Sequence, residues 1–178
     1  MIINKKVTRL SPWVSLVEKT VDLKVGPAQY HCFQQNDYVA VLAVREDGKI
    51  PIVRQFRAAI EQFNWELPGG IVDTGQTPLQ ACRQELHEEA GLVVQDAYDL
   101  GAHYPDCGRL ENKIHSFFVT ATSDPAFVPE PDVEPHFVTW QELLNMVKQG
   151  NFATALHLST LFLAVNHPQF PFFNKNCL

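Results

Sequence analysis

No stretch of the chain is apolar for long enough to cross a bilayer, and Asn4-Lys5-Lys6 is not followed by the apolar core of a signal peptide. Neither a membrane span nor a cleaved leader is therefore expected. Basic charge is scarce: 14 Lys and Arg stand against 20 Asp and Glu, a formal net charge of −6. That argues against a duplex nucleic-acid partner, which would need a basic footprint. A small anionic substrate stays open, because a bound metal can supply positive charge locally. Paired cysteines are missing as well. Cys32, Cys82, Cys107 and Cys177 show no C-x-x-C spacing, which disfavours zinc ribbons and redox pairs and fits reduced thiols in a cytoplasmic protein. There is no G-x-G-x-x-G, P-loop or G-x-S-x-G, and His87-Glu88-Glu89 lacks the second histidine of a zincin helix. The seven histidines are scattered and read as structural.

What is present is 178 residues, 46% of them hydrophobic, enough for one domain with a sizeable core and a small extension. Residues 7–33 read as strands and turns, broken at Gly26-Pro27. Residues 38–44 form a nearly continuous apolar run, as in a strand buried on both faces. Asp47-Gly48 turns the chain into a strand over residues 50–56. A short strand covers residues 64–67, and further strands are expected near residues 100–104, 114–121 and 137–139. Residues 124–135 carry Pro125, Pro129, Pro131 and Pro135 and read as a loop. Thr139 and Glu142 make a capping-box pattern that opens a helix ending near Gly150, and a second helix spans about residues 154–166. Helices on a mixed sheet make an α/β layered domain.

The densest chemistry lies from Gly70 to Leu92, GIVDTGQTPLQACRQELHEEAGL. Thr77 suits an N-cap, Pro78 the first helical position and Gly91 the left-handed residue that ends a helix. Leu79, Cys82, Leu86 and Ala90 then share an apolar face. Glu85, Glu88 and Glu89 share a neighbouring arc roughly 100° wide. Two such charges at ~4 Å repel by about 4 kcal/mol at an effective dielectric near 20, and the helix C-terminus repels them further. No Lys or Arg lies between Gln84 and Gly108 to offset this. A solvated helix face is the bland alternative. The turns Leu67-Pro68-Gly69-Gly70 and Asp73-Thr74-Gly75 favour a metal instead, since they can aim backbone oxygens and carboxylates at one point.

This stretch resembles the Nudix box, G-x5-E-x7-R-E-U-x-E-E-x-G-U with U aliphatic. Gly70, Glu85, Leu86, Glu88, Glu89, Gly91 and Leu92 match it, while Gln76 and Gln84 stand where the box has Glu and Arg. The resemblance implies an α/β/α Nudix sandwich with a mixed sheet. Beyond the box, Arg54-Gln55-Phe56-Arg57, Trp65-Glu66-Leu67-Pro68-Gly69-Gly70 and Gly150-Asn151-Phe152 look like the ADP-ribose and nucleoside-diphosphate-sugar pyrophosphatase branch. The marks of the NADH-pyrophosphatase and coenzyme A branches are not evident.

By this resemblance the chain is a Mg²⁺-dependent hydrolase, with Mn²⁺ as the alternative ion, acting on the diphosphate of ADP-ribose or a nucleoside diphosphate sugar. Glu85, Glu88, Glu89 and the Gly69 carbonyl would hold the metal. Arg57 would contact the diphosphate, although a strand-edge pair with Glu61 or Glu66 is the alternative. Glu66, Gly70 and Glu111 join the substrate set, with a solvated loop acid as the alternative for Glu111. The general base would come from the Pro-rich segment: Glu130 first, with Asp132 and Glu134 as alternatives. Residues 1–37 would form a β-extension that builds a homodimer, Trp13 stacking on the nucleobase, and residues 38–178 the hydrolase domain. Trp13 packed under its own sheet is the alternative there. The competing class is a weakened Nudix-fold sensor, suggested by Gln76 and Gln84.

Overall fold

The computed structural model describes residues 1–128 and 133–172. The longest continuously apolar strand is β4 (Tyr38–Arg45), and it sits at the centre of two cores. Alternation of side chains along a strand explains how it serves both. Val39, Val41 and Ala43 face α1 (Pro78–Ala90), whose Ala81, Cys82, Leu86 and Ala90 complete one buried cluster. Leu42 and Val44 face the other way, into a cluster with Leu143 of α2 (Trp140–Lys148) and Leu161 and Ala164 of α3 (Ala155–Val165). The strand is thus buried on both faces, and the result is an α/β/α layering.

In the central sheet β4 pairs in parallel with β8 (Ile114–Ser123), which pairs antiparallel with β7 (Leu92–His103). A second sheet holds β5 (Ile50–Arg57) between β6 (Gln62–Glu66) and β9 (Glu134–Val138), both antiparallel to it. The third is an antiparallel meander of β1 (Ile2–Arg9), β2 (Ser15–Leu23) and β3 (Gly26–Gln34). Its Val17 is fully buried, whereas β1 is exposed along its whole length. Backbone hydrogen bonds from Phe33 to the Arg109 carbonyl and from Glu111 to the Phe33 carbonyl join this sheet to the rest.

Several expectations needed correction. The strand after the box starts at Leu92, directly behind the Gly91 cap, and not near residue 100. Two register shifts, at Val94/Asp96 and Asp99/Ala102, carry the acids that broke the apolar pattern. Glu134 and Pro135 belong to β9 instead of to the preceding loop; an edge strand accepts proline because one side of it needs no ladder donor. Leu79 is 39% exposed and Ala81 takes its expected place in the core. Trp13 lies in the turn before β2, not in a strand. Among the described residues no helix is long and apolar enough to cross a membrane.

Candidate active site

The chain between β6 and α1 is laid along β4. Val41 N–H donates to the Pro68 carbonyl and Val39 N–H to the Gly70 carbonyl, each at 2.9 Å. The intervening Gly69 directs its N–H elsewhere, to Glu89 Oε2 at 2.9 Å. Backbone close approach requires glycine at position 69, and at position 70 a side chain would have to displace the Glu85 carboxylate. A Cβ on Gly69 would sit 2.2 Å from the Val39 carbonyl oxygen, and one on Gly70 would sit 2.3 Å from the Glu85 carboxylate. The turn therefore forms a cradle with backbone against Gly69 and the Glu85 carboxylate against Gly70.

Helix α1 delivers the carboxylates to this cradle. Thr77 accepts from Gln80 N–H while the Gln80 side chain accepts from Thr77 N–H, and Gly91 ends the helix in the left-handed region at φ 64°. Glu89 is buried, and burial pushes its carboxyl up to about 8, with the nearby Glu85 charge adding to the effect against the Gly69 hydrogen bond. Glu88 accepts from Gln84 Nε2 at 3.0 Å. Among the described residues no three metal-ligating side chains converge on one point. The donor set nevertheless fits a hard divalent cation. It is all oxygen, one member is a buried carboxylate with a single hydrogen bond shown to it, and the Gly70 cradle receives a second.

Beside it lies a buried polar cluster. Arg57, at the end of β5, donates from Nε to Glu66 Oε1 at 2.8 Å and from Nη2 to Oε2 at 2.5 Å. Asn64 Nδ2 donates to Oε1 at 3.0 Å, and His157 Nε2 lies 3.2 Å from Oε2. Burial alone would raise the Glu66 carboxyl, but the donors of Arg57, His157 and Asn64 outweigh it and hold it far below the usual range. The ionised carboxylate only accepts, so His157 presents a proton on Nε2 to it, and burial lowers the imidazole's own pKa against the pull of Glu66. The Arg57 side chain remains 44% exposed and faces the charge of Glu89.

The expected residues fall into separate groups. Glu89 is hydrogen-bonded to Gly69 and Glu85 lies against Gly70, with Arg57 and Glu66 adjacent, whereas Glu88 is held by Gln84 and the three carboxylates do not converge on one point. The pairing of Arg57 with Glu66, the alternative reading of this arginine, is present. Glu111 is no free loop acid: it pairs with Lys19 and, at 3.4 Å, with Lys5, fastening the N-terminal sheet to its loop. Trp13 is 67% exposed, its N–H held by Ser11 Oγ, so it is not packed beneath its own sheet. Glu130 and Asp132 lie outside the described residues, and Glu134 pairs with Arg54 at 3.5 Å. Sequence reading missed His157, Asn64 and Thr154, which link α3 to Arg57. The one available signal was a histidine inside an otherwise apolar helix.

A family model described as the NUDIX domain matches residues 35–157. The ADP-ribose pyrophosphatase of Bacillus subtilis is 33% identical over 140 residues, covering 76% of each chain. A CMP-5'-(N-acetyl-N-hydroxy-3-aminopropyl)phosphonate hydrolase of Streptomyces rubellomurinus is 23% identical over 155 residues, 85% of this chain and 75% of that one. A crystal structure of an ADP compounds hydrolase superposes with a TM-score of 0.75 at 20% identity, covering 92% of this chain and 90% of the other.

Proposed function

Because the chain belongs to the Nudix family and is a Nudix hydrolase, we propose that its substrate is ADP-ribose or a related nucleoside diphosphate sugar. The observation that carries this reading is the half-exposed Arg57 guanidinium set beside the Gly69-Gly70 cradle and the buried Glu89. A diphosphate needs a positive clamp at its oxygens and a site for cations at the bond to be broken, and these elements supply both. Similarity to the Bacillus subtilis ADP-ribose pyrophosphatase supports the same substrate class.

Glu85, Glu88, Glu89 and the Gly69 carbonyl would hold Mg²⁺, or Mn²⁺ in its place. The metal supplies charge neutralisation at the phosphoryl oxygens and acidifies water. Arg57 orients the diphosphate while Glu66 keeps the guanidinium in place, and the missing side chain at Gly70 leaves room for the Glu85 carboxylate beside the substrate. Glu130 accepts the proton of the attacking water, with Asp132, Glu134 and Glu111 as the alternatives. Water adds to one phosphorus and the bridging P–O bond breaks, so the products are a nucleoside monophosphate and a sugar phosphate.

Residues 1–37 act in this reading as a dimerising extension and residues 38–178 as the hydrolase domain. The exposed Trp13 stacks on the base, and the open face of β1 meets a second copy. The protein works in the cytoplasm, with neither nucleic acid nor membrane as a partner. An active monomer in sedimentation at micromolar concentration would overturn the dimer.

The deciding experiment incubates the protein with Mg²⁺ and ADP-ribose, UDP-glucose, GDP-mannose or dinucleotides and measures released monophosphate. Release from ADP-ribose or a nucleotide sugar is the expected result. Tight binding without release would favour a sensor, the reading that Gln76 and Gln84 suggest.

A further inference from the structure

The two departures from the box pattern touch each other. Gln76 Nε2 donates to Gln84 Oε1 at 2.8 Å, and Gln84 Nε2 donates to Glu88 Oε1 at 3.0 Å. At the other end, Asp73 N–H donates to Gln76 Oε1 at 3.1 Å. The ends fix the direction of the whole chain. A carboxylate only accepts, so Gln84 must turn its NH₂ to Glu88 and its oxygen to Gln76. A backbone N–H only donates, so Gln76 must turn its oxygen to Asp73 and its NH₂ to Gln84. The turn that presents Gln76 is itself closed by Gln76 N–H to the Asp73 carbonyl at 3.0 Å, with Gly75 at φ 88° where glycine is at ease.

We infer that Gln76 and Gln84 act together as a neutral positioning relay that runs from the Asp73 backbone to Glu88 and holds that carboxylate for the metal. The inference rests on the proposed metal role of Glu88. Two glutamines carry the same net charge as the Glu and Arg they replace, zero in either case. The pair is therefore balanced only when both positions change. Arginine at position 84 beside a neutral Gln76 would pair with Glu88, the carboxylate that Gln84 already reaches, and compete with the cation for it. When position 76 is a glutamate as well, the guanidinium is drawn back.

Titration of Mn²⁺ binding, followed by the signal of the bound ion in the absence of substrate, tests the relay. Gln84→Ala and Gln76→Ala are each expected to weaken binding by about 10-fold, as for loss of a group that supports a metal ligand. Gln76 makes no hydrogen bond to Glu88, so its effect must pass through Gln84. The double alanine variant should accordingly be no weaker than Gln84→Ala alone. Gln84→Arg should also lose about 10-fold, and combining it with Gln76→Glu should recover most of that loss. Alanine effects that multiply, or a Gln84→Arg variant that binds Mn²⁺ as well as the native protein, would overturn the relay. Native protein that binds no Mn²⁺ would overturn the metal reading beneath it, a result separable from either.

Discussion

Glu66 and Glu89 are both buried, 4% and 7% exposed, and they flank the same turn. Their surroundings differ in one respect. Glu66 receives four hydrogen bonds, two from the Arg57 guanidinium and one each from Asn64 and His157. For Glu89 one is shown, from the Gly69 N–H, and Glu85 pushes against its charge. The first carboxyl is held below its ordinary range and the second is pushed up to about 8. A carboxylate enclosed by donors has become part of the frame. One buried with little compensation stores a need for positive charge, which a divalent cation would meet.

The largest expected effect separates the two by activity. Glu89→Gln should cost at least about 100-fold in turnover at saturating Mg²⁺, the upper end of what disturbing support of a metal site costs. Near-native turnover would remove Glu89 from the metal site. Glu66→Gln should act first on stability. Its new NH₂ would face donors on one side, leaving the Arg57 charge without its partner, at a cost of about 3 kcal/mol by urea unfolding. An unfolding curve that does not move would mean that the cluster is not holding the frame.

The smallest effect is a pH dependence with opposite signs. Because the Glu89 carboxyl is raised in the fold, its contribution is fully present below the ordinary value of 4.5 and is lost as pH rises through about 8. In a metal chelator the thermal midpoint of the native protein should therefore fall between pH 4.5 and about 8 relative to Glu89→Gln, and level off above that. Glu66 is depressed, so its contribution is present above 4.5 and is lost as pH falls. Removing Glu66 should flatten only the acid side. Parallel curves for native protein and Glu89→Gln would refute the burial account of Glu89.

The local signals that were legible from sequence share a physical basis. Thr77, Pro78 and Gly91 act within one helix, and each occupies its expected place because capping depends on atoms a few residues apart. The apolar run at residues 38–44 is typical of a strand covered on both faces, which β4 is. The box spacing put three glutamates near one another by helix geometry alone. Where alternation was interrupted, as along β7 and at Pro135, the strand was obscured, since bulges and edge positions are set by neighbouring strands.

By itself, then, the sequence determined the capped helix, the doubly buried strand and the glycine turn, because these follow from backbone sterics and periodicity over short spans. Only the tertiary structure decided which glutamate is buried, how Glu66 is satisfied by His157 ninety-one residues away, and that Gln76 meets Gln84. Burial and hydrogen-bond partnership are properties of surroundings assembled from distant parts of the chain. No local pattern in the sequence encodes them.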